Sequence, residues 1–174
     1  MIGAVHHALL RAFSWLPVRG RRFVVRRLAP SFTVGSVCVI ERSDGAILLL
    51  RLSYRDGWGL PGGLLKRGET AIEAARREAK EETSLDIETL GEPAVVVEAA
   101  KRRIDIVFRC RPRPGTPTEA HTGSPEVVDL NWFPPGDLPR LQEEAATALA
   151  TLSRTEEPGG TGREDQTPSS RRAP

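Results

Sequence analysis

Three glutamates on one predicted helix are the residues from which chemistry can be argued. Glu78, Glu81 and Glu82 stand at i, i+3 and i+4, a spacing that places them in one sector of a helix surface. Like charges so arranged cost a few tenths of a kcal/mol per pair. Glu73 and Glu81 each have Arg77 four residues away. Glu78 finds only Ala74, Ala75, Glu81 and Glu82 at i±3 and i±4, and Glu82 only Glu78, Ala79, Leu85 and Asp86. An ordinary solvated face would pair its acids with cations, whereas a bound metal ion supplies the missing positive charge. Oxygen ligands with no histidine nearby favour Mg²⁺ or Mn²⁺ over zinc. Mg²⁺ held by carboxylates is usually completed by water and substrate phosphate oxygens, so the stripe points to phosphate chemistry.

The helix that must carry these glutamates is predicted from Thr70 to Thr83. Thr70 and Glu73 form the T-x-x-E capping box, in which each side chain satisfies an amide left open at the helix start. Ala71, Ala74, Ala75 and Ala79 flank the stripe and would let the helix lie close to neighbouring backbone, putting the carboxylates on the floor of a cleft. Ahead of it, Tyr54–Gly63 holds Gly57, Gly59, Pro61, Gly62 and Gly63 and reads as a tightly turned loop. Strands are expected at Phe32–Glu41 and Ala46–Leu52, joined as a hairpin by Ser43-Asp44-Gly45. A second antiparallel pair is expected at Asp86–Ala99, interrupted near Gly91–Pro93, and Arg103–Arg111. A loop over Pro112–Pro125, a strand at Val127–Phe133 and a closing helix around Leu138–Leu152 complete the domain.

Gly63, five residues, Glu69, seven residues, then Arg77-Glu78-Ala79-Lys80-Glu81-Glu82-Thr83-Ser84-Leu85 resembles the signature of the Nudix hydrolases. That signature runs G-x5-E-x7-R-E-U-x-E-E-x-G-U, where U is aliphatic. Trp58-Gly59-Leu60-Pro61-Gly62-Gly63 before the box, and Leu130-Asn131-Trp132-Phe133-Pro134 followed by Asp137-Leu138-Pro139 after it, are also similar to the family. The resemblance covers residues 32–150. It implies an α/β/α sandwich with a mixed β-sheet, and a metal-dependent hydrolase of phosphoanhydride bonds. One position departs, Ser84 standing where the family has glycine. A glycine after a helix suits a left-handed conformation, which serine adopts at a cost of about 1 kcal/mol.

The resemblance also implies roles. Glu78 and Glu82 would be the principal metal ligands, with Glu81 joining directly or through water, and the backbone near Gly62 and Gly63 would complete the shell and meet the substrate. Glu69 would pair with Arg77 and orient the box. Many members add an acid from a later loop; Glu126 is the first candidate and Asp129 the second. Water would attack phosphorus, with a carboxylate (Glu81 or Glu126, alongside Glu82) taking the proton. Arg51 and Arg55 flank the glycine loop and could grip phosphate, because guanidinium pairs bidentately with its oxygens. Tyr54 is a weaker candidate for stacking on a base, while Trp58 and Trp132 are expected to pack. His6, His7 and His121 have no ligand spacing and receive no role.

Charge and composition narrow the remaining choices. The formal net charge of +2 over 174 residues does not suggest a nucleic-acid binder. Residues 1–29 form a basic, helical segment with Arg11, Arg19, Arg21, Arg22, Arg26 and Arg27 and no acid; a helix through Val5–Trp15 is expected. A membrane surface or nucleic acid could meet such a segment, but packing against its own domain is the expectation. Residues 30–152 form the Nudix-like domain, and 153–174 read as a disordered tail. No apolar run approaches the roughly 18 residues of a membrane span, and Ala8–Trp15 does not read as a signal peptide. Cys38 and Cys110 lie in apolar strand-like runs, as buried thiols of a cytoplasmic protein would. The expected partner is a small nucleotide diphosphate: ADP-ribose, a nucleotide sugar or a nucleoside triphosphate. A homodimer fits the family's habit. Against the enzyme stands a catalytically silent nucleotide-binding module of the same fold, which usually loses box glutamates; here all are present. A prenyl diphosphate isomerase would need a cysteine–glutamate pair that the sequence does not offer.

Overall fold

A computed structural model of the chain describes residues 7, 11, 13–29 and 31–156. Helix α1 spans Val18–Leu28 and precedes strand β1, Thr33–Ile40. Strands β2, Ile47–Leu52, and β3, Gly62–Leu64, lead to helix α2, Ala71–Thr83. Strands β4, Ile87–Glu98, β5, Arg103–Pro112, and β6, Val127–Phe133, are followed by helix α3, Glu143–Glu156. The helix expected at Val5–Trp15 falls mostly outside the described residues; those within it, 7, 11 and 13–15, are helical.

The strands form a mixed four-stranded sheet in the order β3-β1-β5-β4 and a separate pair, β2-β6. β1 runs parallel to β5 and antiparallel to β3; the other pairs are antiparallel. The strand pair β4–β5 matches expectation, including a register shift between Leu90 and Ala94. The β1–β2 hairpin does not form. A strand has two hydrogen-bonding edges, and those of β1 are taken by β3 and β5. β2 instead pairs with β6, and Leu50 exchanges backbone hydrogen bonds with Gly59. The turn at 43–45 still reverses the chain, leaving the bridge between Glu41 and Ile47. The glycine loop also contains a strand that sequence reading missed, because β3 is three residues long and two of them are glycine.

Two apolar layers explain the sandwich. Cys38, Ile40 and Leu48 point toward α2 and pack with Ala75, Ala79, Leu85 and Phe108. Val39, Ile47 and Leu49, the alternate residues, point the other way and pack with Val107, Ala148 and Leu152. Strands buried on both faces read as continuous apolar runs, which is how Ile47–Leu50 appears in the sequence. The small residues of α2 bring its backbone close to β1: Ser36 Oγ donates to Ala71 O at 2.9 Å, and Cys38 Sγ to Ala75 O at 3.4 Å. Both cysteines are free and buried. The closing helix begins at Glu143, later than expected, because the chain at 140–142 is first tied to the glycine loop by Trp58 N–H donating to Arg140 O and Gln142 N–H to Trp58 O.

Candidate active site

Helix α2 delivers the glutamates, and its capping box is present. Thr70 Oγ1 accepts from Glu73 N–H, and Glu73 Oε2 accepts from Thr70 N–H. Glu73 is thereby committed to the cap. Arg77 turns elsewhere: its Nε and Nη2 donate to the two oxygens of Glu69 at 2.8 and 3.0 Å. Nη1 reaches Glu78 Oε1 at 2.6 Å and Glu81 Oε2 at 3.3 Å, and Nη2 also reaches Leu64 O at 3.2 Å. This corrects the reading of Glu78 as having no cation. The neighbour at i−1 lies outside the helical pairing rule, but a guanidinium with five N–H donors serves several carboxylates at once. The Arg77 guanidinium holds the Glu69 carboxyl at about 2.

Glu82 is in a different position. No arginine or lysine pairs with it among the described residues; Gly62 N–H donates to its Oε2 at 2.9 Å. Burial pushes its carboxyl up to about 7, and the nearby charges of Glu78, Glu126 and Glu81 push the same way against the Gly62 hydrogen bond. The glycines set this spacing. A Cβ at Gly63 would overlap the Glu78 carboxylate, and one at Gly62 would overlap Ser36 O across the β1–β3 pair.

The loop after β5 closes over the end of α2. His121 N–H donates to Thr83 O at 3.0 Å and Gly123 N–H to Glu82 O at 3.2 Å, satisfying carbonyls that a helix end leaves open. A Cβ at Gly123 would overlap Glu81 O. The loop then carries Glu126 to Tyr54, whose hydroxyl donates to Glu126 Oε2 at 3.1 Å.

From Glu82, Gly62 and Gly63 a cleft runs between the sheets, walled by Val37, Leu50, Leu60, Val96, Ala145 and Ala148. Tyr54, Arg55, Gln142 and Glu144 line one side of it, and Glu98, Arg103 and Asp105 another. Arg55 thus faces the cleft, where it lies 3.7 Å from Glu144. Arg51 is not part of the lining; its guanidinium lies over the Trp58 ring at 5.9 Å, and in the β2–β6 register it stands opposite Asp129. Trp58 packs edge-on against Phe133, and Trp132 carries the Arg42 guanidinium over its ring.

A family model described as "NUDIX domain" matches residues 31–154. The chain belongs to the NUDIX domain family. It is similar to a MutT-like protein of Streptomyces ambofaciens, 30% identical over 66% of this chain and 72% of that protein. The 8-oxo-dGDP phosphatase NUDT18 of Mus musculus is 35% identical over 71% of this chain, which spans only 36% of that protein's length. A NUDIX hydrolase of Nitrosomonas europaea shares the fold, with a TM-score of 0.62, 21% identity and 72% of each chain covered. As a Nudix hydrolase the chain is a pyrophosphohydrolase of phosphoanhydride bonds.

Nudix enzymes typically depend on a divalent metal. Among the described residues no three acidic, histidine or cysteine side chains converge as a metal-binding group, since Arg77 and Lys66 hold Glu78 and Glu81. The donor set nevertheless fits a hard cation. A half-buried carboxylate surrounded by other carboxylates, beside a glycine where no side chain intrudes, is stabilised by a positive charge that the protein does not itself provide there. Among the described residues, no helix of this Nudix protein is long and apolar enough to cross a membrane.

Ser84 adopts φ 62°, the left-handed conformation that the box glycine would suit. Sequence reasoning missed Glu98, Arg103, Asp105, Gln142 and Glu144 as cleft residues. One signal was available: Asp105 interrupts the apolar run of β5 and is buried there, held by Arg103 Nε at 2.7 and 2.9 Å. Glu98 and Arg103 are partners across the β4–β5 pair, and Gln142 and Glu144 lie at the approach to α3 and in its first turn; nothing in their spacing shows that the two groups meet.

Proposed function

We propose that this Nudix protein hydrolyses a phosphoanhydride bond in a nucleoside diphosphate linked to a further group: ADP-ribose, a nucleotide sugar or a nucleoside triphosphate. The observation that carries the reading is the continuity of the cleft. Its apolar walls suit a nucleoside, and it ends on Glu82, Gly62 and Gly63, where the box carboxylates lie.

Glu78, Glu81 and Glu82 would hold Mg²⁺ or Mn²⁺. When bound, such an ion supplies a water of lowered pKa and neutralises the diphosphate charge. Glu69 and Arg77 orient the box, since Arg77 grips Glu69 with two N–H groups and fixes Glu78 with a third. Arg55 is the arginine that faces the substrate and would bind phosphate. Arg51, stacked on Trp58, supports the glycine loop. Glu126 accepts the proton from the attacking water, with Glu81 as the other candidate. Glu126 is exposed and its charge is felt at Glu82. Gly62 and Gly63 let the diphosphate approach the backbone.

The test is phosphate or nucleotide release from a panel of nucleoside triphosphates, nucleoside diphosphates including 8-oxo-dGDP, ADP-ribose and nucleotide sugars. Each is assayed with Mg²⁺ or Mn²⁺, for wild type and Glu82→Gln. Turnover of one class that requires metal and falls by at least a hundredfold in the variant is the expected result, the loss of about 3 kcal/mol of transition-state stabilisation. Failure to bind metal, together with no turnover of any nucleotide, would favour the silent-module reading.

A further inference from the structure

Helix α1 lies outside the cleft, and its surface has a composition of its own. Successive helical residues are about 100° apart, so Val18, Val25 and Leu28 fall in one sector about 80° wide. They are exposed by 60, 51 and 80%. Arg19 and Arg22 occupy the adjoining sector. Arg21, whose position falls among the apolar residues, folds back so that Nε donates to Leu16 O at 2.8 Å. Phe23 is exposed and carries the Arg27 guanidinium over its ring at 5.9 Å. Just ahead of the helix, Trp15 is exposed by 89%. Among the described residues, Arg19, Arg21, Arg22 and Arg27 form no ion pair with a carboxylate. The first acidic residue of the chain is Glu41.

We propose that α1 is an interfacial helix that docks this protein on an anionic lipid surface. Val18, Val25 and Leu28 would enter the boundary between headgroups and acyl chains, with Trp15 at headgroup depth and the arginines on lipid phosphates. Amphipathic helices that lie in the interface plane have this division of residues. Tryptophan favours the same depth because its ring is apolar and its N–H is polar. The charge pattern selects this occupant. A nucleic acid would engage the arginines but leave the apolar row in water. A second copy of α1 would cover the apolar row but bring two sets of arginines together. A membrane surface rich in anionic lipid satisfies both faces at once.

The test uses the full chain and does not depend on its substrate. Sedimentation is measured with vesicles of phosphatidylcholine alone and of phosphatidylcholine mixed with phosphatidylglycerol, over a range of salt. The expected result is binding to the mixed vesicles only, weakened by salt, with about a fivefold loss for each arginine removed in Arg19→Gln and Arg22→Gln. A variant with Val18→Ser, Val25→Ser and Leu28→Ser should also lose binding. Emission from Trp15, isolated by comparison with Trp15→Phe, should shift to the blue on the mixed vesicles. Nucleotide hydrolysis should be unchanged in all of these, because no α1 residue lines the cleft. Equal sedimentation with and without anionic vesicles would overturn the proposal. So would a serine variant that binds as wild type does, since the arginines alone would then account for the sedimentation and the apolar row would not enter the lipid. Light scattering that shows a dimer abolished by the serine substitutions would assign the face to a second copy instead.

Discussion

Glu82 is held where a carboxylate costs stability. With its carboxyl raised from 4.5 to about 7, its ionisation weakens the fold increasingly from about pH 4.5 through 7, and fully above that. Glu82→Gln should therefore stabilise the chelator-treated protein at pH 8 by on the order of 1–3 kcal/mol, and leave it unchanged below about pH 4.5. Adding Mn²⁺ should raise the melting temperature of wild type and not of the variant. Thermal melts at two pH values, with and without Mn²⁺, check all three outcomes. Glu69 has the opposite sign. Arg77 lowers its carboxyl from 4.5 to about 2, so its ion pair contributes stability that is full above pH 4.5 and lost as pH falls toward 2. Glu69→Gln should melt lower than wild type at pH 6, with the difference closing as the pH falls through that window.

At the scale of elements, the C-terminal end of α2 serves the site. Ser84 ends the helix in a left-handed conformation, where glycine has no Cβ to clash. Ser84→Gly should raise stability by about 1 kcal/mol, a rise of roughly 2–4 °C in melting temperature, with turnover unchanged. Gly123 has the converse role. Its N–H closes the Glu82 carbonyl and its missing Cβ leaves room for Glu81 O. Gly123→Ala should push the loop from the helix end and carry Glu126 away from Tyr54. Turnover should fall at least tenfold, the melting temperature by only a few degrees. Unchanged turnover would remove Glu126 from the mechanism.

For the molecule as a whole, the cleft exists because the two sheets and α3 share one apolar layer. Val37 and Leu60 of its walls pack on the same apolar layer as Ala148 and Leu152 of α3. Leu152→Ala should therefore cost about 2–4 kcal/mol, read as a lower denaturant midpoint, and raise KM more than it lowers kcat. The segment before β1 belongs to another task. Deleting residues 1–29 should leave kcat and KM unchanged within twofold while removing the lipid binding proposed for α1.

Much of the site was legible in the sequence because it is local. A helix fixes which residues share a face, so Glu78, Glu81 and Glu82 could be grouped from their spacing. Thr70 and Glu73 could be identified as a cap for the same reason. The Glu69–Arg77 pair came from the resemblance, and the reach of Arg77 to Glu78 was missed because pairing rules compare helical neighbours, not side chains of different length. The hairpin expectation failed at a similar boundary. Alternating and apolar runs identify strands, but hydrogen-bonding edges are shared out by the whole sheet, and β1 spends both of its edges on β3 and β5. The cleft wall is the clearest case. Glu98, Arg103 and Asp105 share the β4–β5 pair, Gln142 and Glu144 stand at the approach to α3 and in its first turn, and everything that folds between these two groups separates them along the chain. The sequence alone determined the grouping of the three carboxylates and the helix that carries them, since both follow from short-range geometry. Only the tertiary structure decided which arginine faces the cleft, how Glu126 reaches Tyr54 and what burial does to Glu82, because these depend on distances set by packing.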